Sequence, residues 1–133
     1  MKISTEINSV ARIVGDERAV EYVAKAGFDC WDFSMFGMLK VTADNQPDSL
    51  AYEYFGTKCT YRSLIDKIEG ISGAYHSMGV RKGDIVTIIM PNPPEAVISI
   101  YALNRIGAVA NILHPLSAQE EIKNHINRVN SKV

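Results

Sequence analysis

One stretch constrains the fold of this chain more than any other: a run rich in β-branched residues, Ile85–Met90, followed at once by a helix start. A continuous apolar run of this kind is typical of a parallel strand covered on both faces. Just beyond it, Asn92 can cap a helix, Pro93 suits the first helical position and Glu95 suits the first turn. The two features together predict a strand that leads directly into a helix.

The same alternation continues downstream. The helix should reach about Ile106 and be buried, because it is apolar on most sides, and Gly107 should end it. Val109–Leu113 has the composition of another strand, and Ser117–Glu120 has the pattern of a capping box. The helix that follows should carry its apolar face at Ile122, Ile126 and Val129. The order strand, helix, strand, helix predicts the α/β class, with a partial parallel sheet.

The segment before this unit predicts a short helix, a β-hairpin and a long helix. The short helix includes Met38, Leu39, Val41 and Thr42 and ends before Pro47. Two short strands flank Gly56-Thr57, which we interpret as a two-residue turn.

The long helix should run from Tyr61 to about Met78, with Thr60 as its cap and Gly79 at its end. Its apolar stripe comprises Leu64, Ile65, Ile68, Ile71, Tyr75 and Met78.

The first 36 residues predict a separate β-α-β segment. Residues 2–6 suit a short strand, Asp16 suits the cap of a helix near Glu17–Lys25, and Cys30–Phe33 suits a second strand. The pattern of residues changes at about Gly37, and we therefore divide the chain into residues 1–36 and 37–133.

Composition excludes several classes of function. The chain has 133 residues, 47% hydrophobic and 22% charged, as in a soluble protein of one-domain size. A formal net charge of -1 gives no basic surface for nucleic acid. The apolar run is too short for a membrane span, and Met1–Glu6 lacks the apolar core of a signal peptide. The two separated cysteines, Cys30 and Cys59, leave a disulfide open, but two reduced thiols are the favoured interpretation, so we expect a cytoplasmic location.

The residues offer no convincing chemical site. Gly79–Asp84 combines glycines with cations, but neither GxxxxGK[ST] nor GxGxxG occurs, so we interpret it as a turn. Asp66 and Glu69 share a helix face beside Lys67, which indicates a solvated surface.

The three histidines, His76, His114 and His125, lack the close spacing of metal ligands. His114 follows a predicted strand, where open α/β sheets tend to bind ligands, but a loop residue bonded to backbone is the favoured interpretation. We therefore assign no catalytic, cofactor-binding or metal residue.

Residues 37–133 resemble the N-terminal part of the AMP-dependent synthetase and ligase family, which comprises adenylate-forming enzymes, and especially its long-chain acyl-CoA synthetases. The matching positions are ordered along the chain: Pro47-Asp48, Phe55-Gly56, Thr60-Tyr61, Gly79-Val80, Lys82-Gly83-Asp84, Pro91-Asn92, Pro94-Glu95, Gly107-Ala108-Val109, His114-Pro115-Leu116 and Glu121. No single match is specific, but the series at these spacings is.

The resemblance implies ATP, Mg²⁺ and coenzyme A for the complete family, which activates a carboxylic acid to an acyl-adenylate and then to a thioester. The family's catalytic signatures lie downstream of the matched region: a Ser/Thr/Gly-rich phosphate loop, an adenine-binding segment, a ribose-binding aspartate and a C-terminal lysine. We expect no cofactor for this chain alone, and the resemblance leaves open whether it is an enzyme.

Residues 1–36 resemble the start of a sugar-phosphate isomerase or epimerase TIM barrel, on Ile3–Asn8, Ala19–Asp29 and Trp31–Met35. That family's metal ligands lie on later strands. Two resemblances in one chain suggest a chimera.

Three hypotheses follow from these resemblances. The favoured one is an inactive N-terminal fragment of a synthetase that self-associates. The alternatives are a non-catalytic subunit or binding module that completes a synthetase in trans, and an isomerase fragment.

Overall fold

A computed structural model of the chain describes residues 34–133. The β-α-β segment predicted for residues 1–36 therefore lies almost entirely outside the described residues. The compact unit that begins at Met35 contains four helices and four strands. In chain order they are α1 Met35–Asn45, β1 Leu50–Tyr54, β2 Thr57–Thr60, α2 Tyr61–Ser77, β3 Ile85–Ile89, α3 Pro94–Arg105, β4 Val109–Leu113 and α4 Gln119–Val129.

The predicted parallel pairing is confirmed. β3 and β4 form a parallel pair in unbroken register from Ile85 opposite Val109 to Ile89 opposite Leu113. β1 and β2 form a separate antiparallel hairpin, with an irregularity between Leu50 and Tyr52. The unit is therefore mixed α/β, as the sequence indicates.

The end of the chain runs beside β3. The Lys132 amide donates to the carbonyl oxygen of Ile85, and the Thr87 amide donates to that of Val133, both at 2.8 Å. β4 is bonded through the Asp84 carbonyl instead, which accepts from the Val109 amide. Because backbone groups alternate sides along a strand, Val133 and β4 flank opposite edges of β3.

The long helix α2 begins and ends as the sequence predicts. The Thr60 hydroxyl accepts from the Ser63 amide at 3.3 Å. At the other end Gly79 has φ +87°, its amide donates to His76 and the Val80 amide donates to Tyr75. This pair of bonds is a Schellman motif, which satisfies carbonyls that the helix leaves unpaired.

Two neighbouring clusters of buried side chains form the core. The first joins α2 to α3 through Cys59, Leu64, Ile68, Ile98 and Ala102, and Phe36 packs against it. The second lies under the parallel strands and consists of Val80, Val86, Ile88 and Leu103. Since α3 contributes to both clusters, it is the element that connects the hairpin side of the unit to the sheet side.

Both predicted helix starts are wrong by one residue. α3 begins at Pro94 with Pro93 as its extended cap, not with Asn92, because a residue that precedes proline is disfavoured in helical conformation. α4 begins after Ala118, and no capping box forms. The Ser117 amide donates to His114, so Ser117 completes a turn and is not the cap.

The predicted hairpin turn is shifted by one residue. The turn residues are Phe55 and Gly56, with φ of 46° and 80°, whereas the sequence suggested Gly56-Thr57. Two positive φ values are the signature of a type I′ turn, whose twist matches that of the flanking strands.

Burial is less complete than the sequence predicts. Val86 and Ile88 are buried on one face of β3, but Ile89 is 40% exposed at its end. Val97 on α3 and Met78 beyond α2 are exposed as well. Apolar periodicity locates these segments correctly, yet it does not show which neighbour covers each face.

Candidate functional site

A groove of about 390 Å³ lies between the hairpin and the first turns of α3. Four tyrosines line it: Tyr52, Tyr54, Tyr61 and Tyr101. The remaining lining is mostly apolar, and Glu53 is its only charged residue. Below, these residues are called the tyrosine groove.

The local structure explains why the tyrosines converge. Tyr52 and Tyr54 are two apart on β1, so both point to one face of the hairpin. Tyr61 is the first residue of α2, directly after the Thr60 cap. Tyr101 lies one turn beyond Val97 on α3, on the same helix face.

Beside the groove, Lys67 connects a tyrosine to a buried thiol. Its ammonium donates to the Tyr52 hydroxyl at 3.3 Å and lies 3.9 Å from Sγ of Cys59. The same ammonium is 5.8 Å from the centre of the Tyr52 ring. Cys59 itself is 3% exposed.

The ionisation of this cluster does not favour nucleophilic chemistry. The hydrogen bond to Tyr52, reinforced by the charge interaction with Cys59, raises the pKa of Lys67. Desolvation by burial and the hydrogen bond with Cys59 raise the pKa of Tyr52. Lysine stays charged and tyrosine stays neutral at pH 7, whereas an activated nucleophile needs a lowered pKa or an adjacent base.

The Gly79–Asp84 loop is a turn between α2 and β3. Its backbone amides are largely engaged: those of Gly79 and Val80 end α2, that of Gly83 donates to Gly107, and that of Asp84 donates to Arg81. The Arg81 amide donates to the Asp84 carboxylate at 2.7 Å. A phosphate cradle needs free amides that point at the ligand, so this loop does not provide one.

The structure brings none of the histidines together. His76 and His114 are exposed, and Nδ1 of His114 accepts from the Leu116 amide, which makes it a loop residue bonded to backbone. His125 lies 3.9 Å from Glu121 on α4. Within residues 34–133, no three His, Cys, Asp or Glu side chains are grouped as metal ligands would be.

Asp66 and Glu69 do not form a site either. Glu69 lies 3.5 Å from Arg105 of α3 in a half-exposed ion pair.

The tyrosine groove and the Lys67 cluster were missed by sequence reasoning. The four tyrosines in residues 52–61 and 101 gave a compositional hint, but only tertiary packing places Tyr101 opposite the hairpin.

Comparison with known proteins defines the class. The sequence model described as "AMP-binding enzyme" matches residues 39–133, and the chain belongs to this family. The match confirms the resemblance seen for residues 37–133.

Several relatives are acetyl-coenzyme A synthetases. The chain is 37% identical to acetyl-coenzyme A synthetase 1 of Saccharomyces cerevisiae over 79 residues, which is 59% of this chain and 11% of that protein. It is 32% identical to acetyl-coenzyme A synthetase of Penicillium chrysogenum over 120 residues, 86% of this chain and 17% of that protein. The chain thus spans only a small part of the curated relatives it matches.

Solved structures agree with this assignment. The N-terminal subdomain of Klebsiella oxytoca NpsA superposes with a TM-score of 0.70 at 26% identity, covering 74% of this chain and 26% of that one. A Mycobacterium tuberculosis fatty acyl CoA synthetase gives 0.72 at 26% identity, covering 74% and 20%.

These comparisons give no support to the isomerase resemblance of residues 1–36. Residues 37–133 are less than three-quarters of the chain, so the Penicillium match, at 86%, extends into the first 36 residues. The division at residues 36 and 37 stays a prediction.

The AMP-binding acyl-CoA synthetase family uses ATP, Mg²⁺ and coenzyme A, and the described residues do not fit a nucleotide. Five of the six amides of Gly79–Asp84 already have partners. The tyrosine groove contains Glu53 and no lysine or arginine, which disfavours a polyphosphate. Within residues 34–133, no helix has the length and apolar character needed to cross a membrane.

Proposed function

We propose that this chain is an N-terminal scaffold segment of an AMP-binding acyl-CoA synthetase and does not activate acids by itself. The observation that carries the proposal is the combination of a family match over residues 39–133 with a turn at Gly79–Asp84 whose amides are engaged. Activation of an acid by ATP needs preorganised donors where negative charge develops. The described residues supply packing and strand order instead.

The scaffold role follows from the position of α3. Its buried residues contact α2 on one side and the parallel strands on the other. In a complete synthetase this arrangement would fix the direction of β3 and β4, from which further strands of the domain could extend. The segment therefore contributes to the orientation of a nucleotide site that later residues build.

The test is ATP–pyrophosphate exchange driven by short- and long-chain carboxylic acids. We expect no exchange above background and no heat of ATP binding with the purified chain. Intact Saccharomyces cerevisiae acetyl-coenzyme A synthetase 1, assayed in parallel, shows that the assay works. Exchange that depends on the acid and on this chain would disprove the proposal.

A second candidate, a non-catalytic subunit that completes a synthetase in trans, is favoured by one surface. β4 has no strand on its outer edge among the described residues, and Val109, Ile112 and Leu116 are 50%, 55% and 86% exposed. An open edge with apolar neighbours is suited to pairing with another chain. A neighbouring reading frame that begins with the missing phosphate loop, and gives activity only when coexpressed, would support this candidate over the first.

The same surface predicts self-association when no such partner is present. Light scattering of the purified chain should show oligomers. Ile112→Lys should reduce them, because a charge on an edge strand opposes pairing. We expect the chain to be cytoplasmic. A monomer at all concentrations would mean that the segment covers its own apolar surface. The isomerase alternative is not favoured by any contact within residues 34–133.

A further inference from the structure

A second groove, of about 320 Å³, lies between the two long helices α2 and α3. Each helix contributes one charged side chain, one isoleucine and one small residue to its lining. The lining residues are Lys67, Gly70 and Ile71 of α2 and Glu95, Ile98 and Ser99 of α3. The volume lies in the range of small-molecule sites, about 300–1,000 Å³. Below, these six residues are called the interhelical groove.

Ser99 brings an unused hydrogen-bonding group to this groove. The residue is only 8% exposed, yet its hydroxyl has no hydrogen-bond partner within residues 34–133. Ser72, the other buried polar residue of that range, donates to two carbonyl oxygens. A buried hydroxyl without a partner is costly, and a ligand that bonds to it would remove the cost.

The Ser99 hydroxyl opens onto the interhelical groove. No side-chain oxygen or nitrogen of the described part of the chain is both fully enclosed and without a partner. The hydroxyl therefore keeps an opening to the surface, and the surface that Ser99 lines is this groove. A molecule in the groove can reach the hydroxyl without any change in the helices.

Glu95 adds a carboxylate close to that hydroxyl. It lies one turn before Ser99 on α3, so the two side chains are neighbours on one face of the helix. Within the described range its carboxylate has no hydrogen-bond or ion-pair partner. Its negative charge offsets the partial positive charge at the start of α3, which would otherwise oppose a cation. A carboxylate and a hydroxyl at this spacing can together accept hydrogen bonds from one ammonium group.

Lys67 supplies a cation from the α2 wall of the groove. Its ammonium donates to the Tyr52 hydroxyl at 3.3 Å and lies 3.9 Å from Sγ of Cys59, which leaves part of its three donors unused. The hydrogen bond to Tyr52 raises the pKa of Lys67, so the charge persists at neutral pH. Lys67 and Glu95 form no ion pair with each other, and the charges on the two walls therefore do not neutralise one another.

We propose that the interhelical groove binds a small zwitterion of the α-amino-acid type with an aliphatic side chain. Glu95 and Ser99 bond its ammonium, Lys67 bonds its carboxylate, and its aliphatic part lies against the two isoleucines. Gly70 leaves room on the α2 wall, since a Cβ at this position would meet nothing within 4 Å. The groove shares no lining residue with the tyrosine groove, and the proposal does not depend on any synthetase activity.

The experiment is an NMR titration of the full chain with three probes of similar shape. They are L-leucine, 3-methylbutylamine, which is leucine without its carboxylate, and 4-methylpentanoate, which is leucine without its ammonium. L-Leucine should give saturable shifts of the methyl signals of Ile71 and Ile98. It should bind about two- to fivefold more tightly than either analogue, the ratio that one exposed charge pair contributes.

Variants separate the roles of the polar residues. Glu95→Gln should largely remove the preference for L-leucine over 4-methylpentanoate, and Lys67→Met should largely remove the preference over 3-methylbutylamine. Ser99→Ala should weaken L-leucine binding while its urea midpoint stays the same or rises, because no intramolecular hydrogen bond is lost. Glu120→Gln, which removes a carboxylate from the first turn of α4, is the matched control and should have no effect.

Three results would overturn the proposal. Binding of either analogue as tight as that of L-leucine would show that the groove does not select both charges. An absence of saturable shifts with a folded protein, as judged by an unchanged circular dichroism spectrum, would show that the groove binds none of the probes. Unchanged L-leucine binding in Ser99→Ala, or a loss of stability as large as that of Ser72→Ala, would show that the Ser99 hydroxyl does not serve a ligand.

Discussion

The hydroxyl of Ser72 in α2 lies 3.1 Å from the carbonyl oxygen of Ala102 in α3, at a point where both residues are almost completely buried. The hydroxyl oxygen of Ser72 is also 2.8 Å from the carbonyl oxygen of Ile68, one turn earlier in α2, so the hydroxyl proton is shared between the two acceptors. A small polar residue at this crossing lets the helices approach closely and satisfies its own donor. Ser72 thus joins the two helices that carry most of the core.

Replacement of Ser72 should distinguish hydrogen bonding from space. Ser72→Ala should lower the free energy of unfolding by about 0.5–1.5 kcal/mol, since one buried hydrogen bond is lost. Ser72→Leu should cost more, by about 1–3 kcal/mol or beyond, because the helices must separate to admit the side chain. Urea denaturation measures both.

Ser77→Ala is the matched control, because Ser77 makes the same type of bond to the Gly73 carbonyl at 3.0 Å but on the exposed surface. Its effect should stay within about 0.5 kcal/mol. Equal costs for Ser72→Ala and Ser77→Ala would mean that burial at the crossing contributes nothing to the bond.

Two glycines at helix ends should respond differently to a methyl group. Gly79 and Gly107 both have positive φ, +87° and +73°. A Cβ on Gly79 meets nothing within 4 Å, whereas one on Gly107 would lie 2.9 Å from Cγ of Lys82. Gly79→Ala should therefore show only the left-handed backbone cost, about 1–2 kcal/mol, and Gly107→Ala should exceed it by the cost of displacing Lys82.

Thermal denaturation of both variants tests this order. Gly107→Ala combined with Lys82→Ala should recover the excess, since the neighbouring Cγ is then absent. A larger loss for Gly79→Ala than for Gly107→Ala would contradict the close approach of Lys82. Gly70→Ala, inside α2 with open space around it, should instead stabilise the chain, by up to about 1 kcal/mol.

The ion pair between Lys132, near the end of the chain, and Asp84, in the turn before β3, should make the stability of the fold depend on pH. The hydrogen bond from Lys132, and after it the Arg81 amide, lowers the pKa of Asp84. Lys132 Nζ lies 2.6 Å from the Asp84 carboxylate. A carboxyl whose pKa is lower in the folded state stabilises the fold above its ordinary pKa of about 3.9, and this contribution is lost as the pH falls through the folded value.

Melting temperatures of the unmodified chain and of Asp84→Asn, measured from pH 7 down to pH 3, check this sign. The unmodified chain should be the more stable at pH 7, and the difference should shrink below about pH 4, where the carboxyl of the unfolded chain takes up a proton while that of the folded chain is still ionised. In a Lys132→Met background the difference should depend less on pH. A difference that grows as the pH falls would reverse the assignment.

The sequence predicted the order of elements well, because local signals determine it. The β-branched run at Ile85, the glycines at residues 79 and 107 and the Thr60 cap each act within a few residues, and the structure confirms all of them. The errors occur where two local rules compete. Two adjacent prolines leave only Pro94 able to start α3, and the turn from His114 uses Ser117 before it can cap α4.

The candidate site could not be predicted in the same way. Tyr52 and Tyr101 are far apart in sequence, and they meet only because the hairpin packs beside α3. Likewise, Lys67 has the pattern of a solvated residue, and its contacts with Tyr52 and Cys59 depend on how α2 lies against β2. Such contacts are set by tertiary packing, for which a single sequence has no periodic signal.

The last prediction concerns the boundary near residue 36. α1 begins at Met35, the Phe36 amide donates to Oδ1 of Asn104 at 3.0 Å, and Arg105 lies 5.4 Å from the centre of the Phe36 ring. Deletion of residues 1–34 should therefore change the melting temperature of the remainder by no more than a few degrees, because the unit from Met35 is compact by itself. Deletion of residues 1–36 should cost more, since it removes an aromatic ring from the core cluster of α2 and α3.

Phe36→Ala in the full chain is the matched variant that keeps every backbone atom. It should reproduce most of the difference between the two deletions, up to about 3 kcal/mol for a half-buried ring. Limited proteolysis should cut before Met35 and not within α1. Loss of folding on deletion of residues 1–34 would show instead that the first segment belongs to the same core, in line with a Penicillium match that extends into it, and the division of the chain into two parts of separate ancestry would then have to be abandoned.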